Sequence, residues 1–219
     1  YGPPEGITRP SDAVVLDRTE VTNSAFAEFA SMARFTAINA PVYAASRELI
    51  YAGAGGRPVA GISWKTARAY CEWMGKRLPR SDEWQKALRG ALTLNGKPNP
   101  IPARNLPAGR LDATPLINYN DGVNNGPADV ASFPDDVGPY GHWDLAGNVA
   151  EWTGSFSAPE LPITRGASWG ETHRHELVDF LAIENMRPAN LTSYDLGVRC
   201  ALDPPTSQLD GHALLEEGR

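Results

Sequence analysis

The sequence contains few cysteines, no long hydrophobic run and no excess of basic residues. No apolar stretch approaches the roughly 20 residues that a membrane-spanning helix needs. The net charge of -6 is spread along the chain without a basic stripe, which argues against nucleic acid as a partner. The chain also has no nucleophile-elbow, phosphate-loop or dinucleotide-binding motif, so several common enzyme classes are excluded.

Cys71 and Cys200 are the two cysteines among 219 residues. They form no Cys-x-x-Cys pair and have no nearby histidine, which excludes a zinc site. Their wide separation is compatible with one disulfide and equally with two inert thiols in a core.

Glycine and proline are abundant, with 21 Gly and 19 Pro. This much punctuation favours loops and short elements over long helices. A mean hydropathy of -0.35 and a hydrophobic content of 42 % are ordinary for a globular protein. Because the chain begins at Tyr1 and not at Met, we expect a processed or excised piece of a longer product.

Local patterns predict three early helices followed by irregular, β-rich chain, which is the order of a single α+β domain. Thr22 is a predicted N-cap for a helix with Phe26, Phe29, Ala30 and Ala33 on one side. Ser63 is the predicted cap of a helix over 64–74 that ends at Gly75, with Trp64, Ala67, Cys71 and Met74 on its buried stripe. A third helix is predicted over 82–89, with Trp84, Ala87 and Leu88 buried and Gly90 at its end. Predicted strands cover 13–16, 128–133, 150–153, 164–169 and 197–201.

The segment 141–153 concentrates oxygen donors between two tryptophans. Asp144, Asn148 and Glu151 surround Gly147, and glycine lets backbone carbonyls turn toward one point. Calcium prefers such carboxylate, amide and carbonyl oxygens. The simpler alternative is a polar turn whose side chains satisfy nearby backbone donors.

Seven blocks, taken together and in order, resemble the formylglycine-generating enzyme (sulfatase-modifying factor) family. They are 20–23 (EVTN), 58–64 (PVAGISW), 69–79 (AYCEWMGKRLP), 82–84 (DEW), 144–153 (DLAGNVAEWT), 165–169 (RGASW) and 196–200 (LGVRC). The resemblance implies a loop-rich, formylglycine-generating-enzyme-like variant of the C-type lectin fold, with few helices and small twisted sheets. It covers a domain at 13–203, preceded by an irregular lead-in at 1–12 and followed by a polar tail at 204–219. The family's usual opening strand, ending in a Met-Gly pair, is missing before Ala13.

The resemblance also assigns structural bonds and ligands. It implies a disulfide between Cys71 and Cys200, and therefore an extracytoplasmic site, in the periplasm or on the surface of a bacterial cell. It further implies one or two structural calcium sites. The first set of ligands is Asn105, Leu106, Asp121 and Val123, and the second is Asp144, Gly147, Val149 and Glu151.

One departure decides the expected activity. Enzymes of the family oxidise a substrate cysteine with two copper-binding cysteines located shortly after the strand that corresponds to 165–169. Residues 170–186 contain no cysteine. Copper(I) needs soft thiolate ligands, so the sequence argues against copper and against formylglycine generation. The catalytic site is predicted to be absent.

Three functions follow from this departure. The favoured one is a non-catalytic binding or scaffolding domain, in which the surface of residues 170–195 meets a protein partner or a larger complex. Its candidate contacts are aromatic or imidazole side chains, which anchor interfaces: Trp169, His173, His175, Phe180 and Tyr194. The alternative is a metal-dependent oxidoreductase that uses His173 and His175 with Glu171 or Glu176, although a solvated His-Arg-His loop is the simpler interpretation. A variable ligand-binding domain of the lectin type has less support, because 170–195 contains few asparagines.

Overall fold

The computed structural model describes residues 14–31, 54–101, 106–107, 117–119, 126–170 and 184–204. The predicted lead-in, and the predicted tail after its first residue, lie outside these ranges. Among the described residues, no helix has the length and apolar character needed to cross a bilayer.

All three predicted helices are confirmed: α1 (Asn23–Ser31), α2 (Trp64–Trp73) and α3 (Ser81–Arg89). The hydroxyl of Thr22 accepts a hydrogen bond from the amide of Ala25 at 3.2 Å. The hydroxyl of Ser63 accepts one from the amide of Thr66 at 3.3 Å, as predicted for an N-cap. Gly90 ends α3 with a φ of 78°, a conformation that glycine adopts without steric cost. A single 3-10 turn, Ala54–Gly56, precedes α2.

The strands of the described residues are short and form three sheets. Their bounds are β1 (Val15–Leu16), β2 (Thr93–Leu94), β3 (Lys97–Pro98), β4 (Ala150–Ala158), β5 (Leu161–Arg165), β6 (Asn185–Met186), β7 (Leu196–Gly197) and β8 (Ala201–Leu202). The main sheet has the order β6-β5-β4-β7, in which β4 and β7 are parallel. The pairs β1–β8 and β2–β3 are antiparallel.

Three predicted features of these elements are wrong. Residues 128–133 form turns and no strand, because their amides are bonded to side chains and not to another strand. The Ala128 amide donates to the Asn148 side chain, and the Ala131 amide donates to the Asp144 carboxylate. Met74 was placed on the buried stripe of α2, but it lies past the last helical turn and is 44 % exposed, whereas Tyr70 is buried. The predicted strand over 164–169 ends at Arg165, because Gly166 turns the chain with a φ of 79°.

In the described part of the chain the buried hydrophobic residues form two clusters. The first packs α1 and α2 against β4 and β7, and includes Phe26, Tyr70 and Trp152. The second packs α3 against the loop before β4, and includes Trp84 and Leu145. The segment 144–151 passes between these clusters, so its polar residues are held inside the protein.

Candidate functional site

The guanidinium of Arg199 is the only cation among the fully buried large side chains of the described residues. The Nη2 and Nε atoms of Arg199 donate to the two carboxylate oxygens of Glu151 at 2.6 and 2.7 Å. The indole of Trp84 donates to the same carboxylate at 2.8 Å. Arg199 also donates to the backbone carbonyls of Trp143 and Asp144, at 2.8 and 3.1 Å. Strand β4, helix α3 and the link between β7 and β8 are thereby joined through one charged pair.

Three further carboxylates lie around this pair, and two of them, those of Glu20 and Asp136, hold the 144–151 segment by its backbone amides. Glu20 accepts from the Val149 amide at 3.0 Å and from the Asn148 side chain at 2.8 Å. Asp136 accepts from three successive amides, those of residues 145, 146 and 147, at 3.0, 2.7 and 2.9 Å. Asp144 accepts from the Ala131 amide at 2.7 Å. The polar turn expected from the sequence is therefore built from distant acidic side chains.

Burial with little countercharge shifts the pKa values of these groups. Desolvation, reinforced by Asp144, raises the pKa of Asp136 to about 7. Desolvation also raises the pKa of Asp144 to about 6, and that of Glu20 well above its usual value. Burial alone lowers the pKa of Arg199, but the carboxylate of Glu151 outweighs it and keeps the pKa above its ordinary value. The region has more buried acid than base, which is an arrangement that a bound cation would stabilise.

The second predicted calcium set lies in this region, and its members differ in how well they fit a cation. Atom Oδ1 of Asp144 is buried without a hydrogen-bond partner, so it is available to a metal ion. Both oxygens of Glu151 already accept from Arg199, and one accepts from Trp84 as well. Gly147 packs directly against the 117–119 segment. A Cβ placed on Gly147 would lie 2.5 Å from the carbonyl oxygen of Asn118, so only glycine fits at this position. Among the described residues, no three His, Cys, Asp or Glu side chains are grouped as around a metal ion. Calcium held by Asp144, Glu151 and the carbonyls of Gly147 and Val149 stays a prediction.

The first predicted calcium set falls almost entirely outside the described residues. Asn105, Asp121 and Val123 are not described, and Leu106 is a buried member of the second core cluster. This assignment also stays a prediction.

Calcium is expected to raise the thermal unfolding midpoint of the purified protein, because binding to the folded state alone stabilises it. The gain is about 2.7 kcal/mol when free calcium is one hundred times its dissociation constant. Asp144→Gly should reduce the gain, since it removes the free carboxylate and glycine tolerates the φ of 56° at this position. The exposed Asp129 gives the matched control, Asp129→Gly. An equal calcium-induced rise of the unfolding midpoint in the wild type and in Asp144→Gly would contradict the second predicted calcium site.

The predicted partner surface is described at two of its five positions. Trp169 is half-buried, and its indole donates to the backbone carbonyl of Tyr194 at 3.4 Å. The ring of Tyr194 is 58 % exposed. His173, His175 and Phe180 lie outside the described residues, as does the metal site proposed for the two histidines.

Cys71 and Cys200 are joined by a disulfide with a Cα–Cα distance of 5.6 Å, which confirms the implied pairing. Both are fully buried in the first core cluster, where they link α2 to the residue before β8. Because the sequence contains two cysteines, the bridge leaves the chain without a free thiol.

Comparison with known proteins identifies the family. The model of the sulfatase-modifying factor enzyme 1-like domain matches residues 2–204. The chain belongs to this family. Its fold is the C-type-lectin-like fold of formylglycine-generating enzymes. The solved structure of Treponema denticola variable protein 1 has this architecture, with a TM-score of 0.60, 19 % identity, and coverage of 87 % of this chain and 84 % of that one.

The sulfatase-modifying factor relatives include both inactive and active proteins. Inactive C-alpha-formylglycine-generating enzyme 2 of Bos taurus is 37 % identical over 159 residues, which cover 66 % of this chain and 50 % of that protein. Formylglycine-generating enzyme of Mus musculus is 29 % identical over 168 residues, covering 67 % of this chain and 44 % of that protein. The chain therefore spans about half the length of the curated relatives it matches.

The sequence did not predict the buried charged residues Glu20, Asp136 and Arg199 of this sulfatase-modifying factor domain as parts of the site. Glu20 and Arg199 lie in blocks that carry the family resemblance, but their type and spacing gave no sign that they meet at the 144–151 segment. Asp136 lies in a Pro-Asp-Asp sequence that suggests only a turn. A composition signal was available for Arg199, since a charged residue between Val198 and Cys200 must be buried with a partner.

Proposed function

We propose that this domain is a non-catalytic binding module, serving as a structural or interaction part of a larger extracytoplasmic assembly. The observation that carries the proposal is the absence of a free thiol. Both cysteines of the chain are consumed by the disulfide between α2 and the residue before β8. Copper(I) ligation by cysteines needs thiolates, and a buried disulfide supplies none.

The buried framework of the domain is complete although the catalytic cysteine pair of the family is missing. The buried Arg199–Glu151 pair, the three additional carboxylates and the two core clusters hold the 144–151 segment in place. Such a rigid frame supports recognition by the loops that it carries. The inactive relative from Bos taurus is similar over two thirds of this chain, which supports the same interpretation.

The partner-binding surface is proposed at Trp169 and Tyr194 together with His173, His175 and Phe180, which lie between them in the sequence. An exposed tyrosine ring beside a half-buried tryptophan supplies rigid apolar area with polar edges, which is typical of interface anchors. The disulfide supports an extracytoplasmic location, since such bonds persist in oxidising compartments.

The catalytic half of the proposal is tested with copper(I), oxygen and a cysteine-containing peptide, and the product is analysed by mass spectrometry. We expect the peptide to remain unchanged, with the Mus musculus formylglycine-generating enzyme as the active control. Conversion of the peptide cysteine to an aldehyde would overturn the proposal.

The binding half is tested by photo-crosslinking in native extract from the source cells. A photoreactive phenylalanine analogue replaces Tyr194 in the test variant. In the control variant it replaces Leu92, which lies just before β2 and is 81 % exposed. We expect one discrete adduct from position 194 and none from position 92. Identical adduct patterns, or no adduct from either position, would contradict the proposed partner surface.

A further inference from the structure

A groove of about 440 Å³ lies between α2 and the outer part of β4. Trp64 and Phe156 form its aromatic wall, and their ring centroids are 5.0 Å apart in an edge-to-face arrangement. Leu78 and Gly154 also line it. The volume falls within the range of sites that hold one or two large side chains or a small molecule.

The aromatic wall is held in place before anything binds. The indole of Trp64 donates to the Thr153 carbonyl at 2.8 Å, which ties α2 to β4 and fixes the ring. Phe156 is 45 % exposed although it packs against Trp64. A fixed aromatic surface loses little conformational entropy on binding, and tryptophan is enriched among residues that dominate interfaces.

Three arginines line the groove of this acidic protein. Among the described residues its lining includes Arg68, Arg77 and Arg80 with one acid, Glu72, whereas the chain carries a net charge of -6. Arg77 is held between Glu83 and Asp203, so its role is structural. The exposed guanidinium groups of Arg68 and Arg80 make an acidic ligand the complementary one.

Arg68 and Arg80 are placed to donate hydrogen bonds to the carboxylates of a ligand. Arg68 lies 5.6 Å from the Trp64 ring centroid and pairs with Glu72 at 2.7 Å, with both side chains more than half exposed. Arg80 is 42 % exposed and pairs with the exposed Asp82 at 3.3 Å, while the buried Glu83 at 3.0 Å fixes its position. Exposed pairs contribute about 0–1 kcal/mol, so an incoming carboxylate replaces them at small cost. Arginine can bind that carboxylate through two parallel hydrogen bonds.

We propose that this groove binds an acidic peptide segment of a protein partner. An aromatic or apolar side chain of the segment packs against Trp64 and Phe156, and flanking carboxylates pair with Arg68 and Arg80. A peptide suits the site because Arg68 and Arg80 are about half exposed and open to solvent along the surface. This inference rests on the proposed binding role and gives the partner a chemical class.

The probe is a blocked pentapeptide of four glutamates around a central phenylalanine. Two matched peptides replace the glutamates by lysine, or the phenylalanine by glycine. Binding is followed by the NMR signal of the Trp64 indole N–H, assigned with Trp64→Phe. We expect a saturable shift with the acidic aromatic peptide and about tenfold weaker binding for each matched peptide. Equal affinities for the glutamate and lysine peptides would overturn the proposal.

Two variants test the groove without disturbing the core. A Cβ at Gly154 would have the Leu78 carbonyl as its nearest neighbour, at 3.5 Å, so Gly154→Leu is expected to fold and to fill the groove. Ser157→Leu, on the same strand but outside the lining, is its control. Arg68→Gln with Arg80→Gln removes the two carboxylate-binding groups, and Lys65→Gln with Lys97→Gln is the charge-matched control. We expect about tenfold weaker binding in each groove variant and wild-type binding in each control. Wild-type affinity in Gly154→Leu would overturn the assignment.

The outcomes separate this inference from the proposed function. No binding of the acidic aromatic peptide, with no cysteine oxidation and an adduct through position 194, would overturn the groove and leave the binding role standing. Oxidation of the cysteine peptide would overturn the proposed function whatever the groove binds.

Discussion

Glu151→Gln is expected to lower the free energy of unfolding by about 3–5 kcal/mol, because it leaves the guanidinium of Arg199 buried without its carboxylate. Both side chains are buried, at 0 and 1 % exposure, and their closest nitrogen–oxygen distance is 2.6 Å. Glutamine keeps the size of the side chain and can accept one hydrogen bond from Arg199, but it carries no charge. A loss of this size is a large part of the roughly 5–15 kcal/mol that stabilises a typical domain.

Glu72→Gln is the matched control for this prediction. Glu72 also pairs with an arginine, Arg68, at 2.7 Å, but the two side chains are 55 and 53 % exposed. Water solvates both partners, so we expect the control to change the free energy of unfolding by at most about 1 kcal/mol. Urea unfolding followed by the fluorescence of the tryptophans measures both variants. Similar midpoints for the two variants would contradict a structural role for the buried pair.

The contrast between these two pairs shows what the sequence could predict. The pair of Arg68 and Glu72 has the i, i+4 spacing of a helix and can be found from local pattern alone. The pair of Arg199 and Glu151 joins positions 48 residues apart, and Glu20 reaches Asn148 across 128 residues. No local periodicity encodes such contacts. The family resemblance supplied the fold and the disulfide, but it did not supply this acidic network.

The errors in the predicted strands have more than one origin. Residues 128–133 resemble a short strand by composition, yet their amides donate hydrogen bonds to side chains that come later in the chain, those of Asp144 and Asn148. The hairpin of β2 and β3 was missed although its turn, Asn95-Gly96, is a strong local signal, with φ values of 52° and 76°. Strand β4 extends to Ala158 beyond the predicted end at 153, because β5 pairs with it across register shifts after Trp152. Local pattern therefore located the helices well and the strands only where they are buried.

Removing the disulfide is expected to lower the free energy of unfolding by about 2–5 kcal/mol, because the bridge restrains the unfolded chain. The two cysteines are 129 residues apart in sequence, so the closed loop includes more than half of the chain. The chain-entropy model gives about 5 kcal/mol for a loop of this length, and strain or residual structure in the unfolded state usually reduces the observed effect. The reduced protein should also show a larger denaturant dependence, since its unfolded chain exposes more surface.

Two forms without the bridge separate the loss of the bond from the loss of packing. The reduced wild type keeps both sulfur atoms in the core, whereas the double variant Cys71→Ala with Cys200→Ala removes them from fully buried positions. We therefore expect the double variant to be less stable than the reduced protein, because it leaves unfilled space beside Tyr70 and Trp152 in the same cluster. Urea unfolding with and without a reductant compares the three forms, and alkylation in denaturant followed by mass spectrometry counts the thiols. Two alkylated cysteines in protein purified without reductant from the periplasm would contradict the bridge. Equal stability of the oxidised and reduced forms would show that the bridge adds nothing to a fold already held by its core and its buried ion pair.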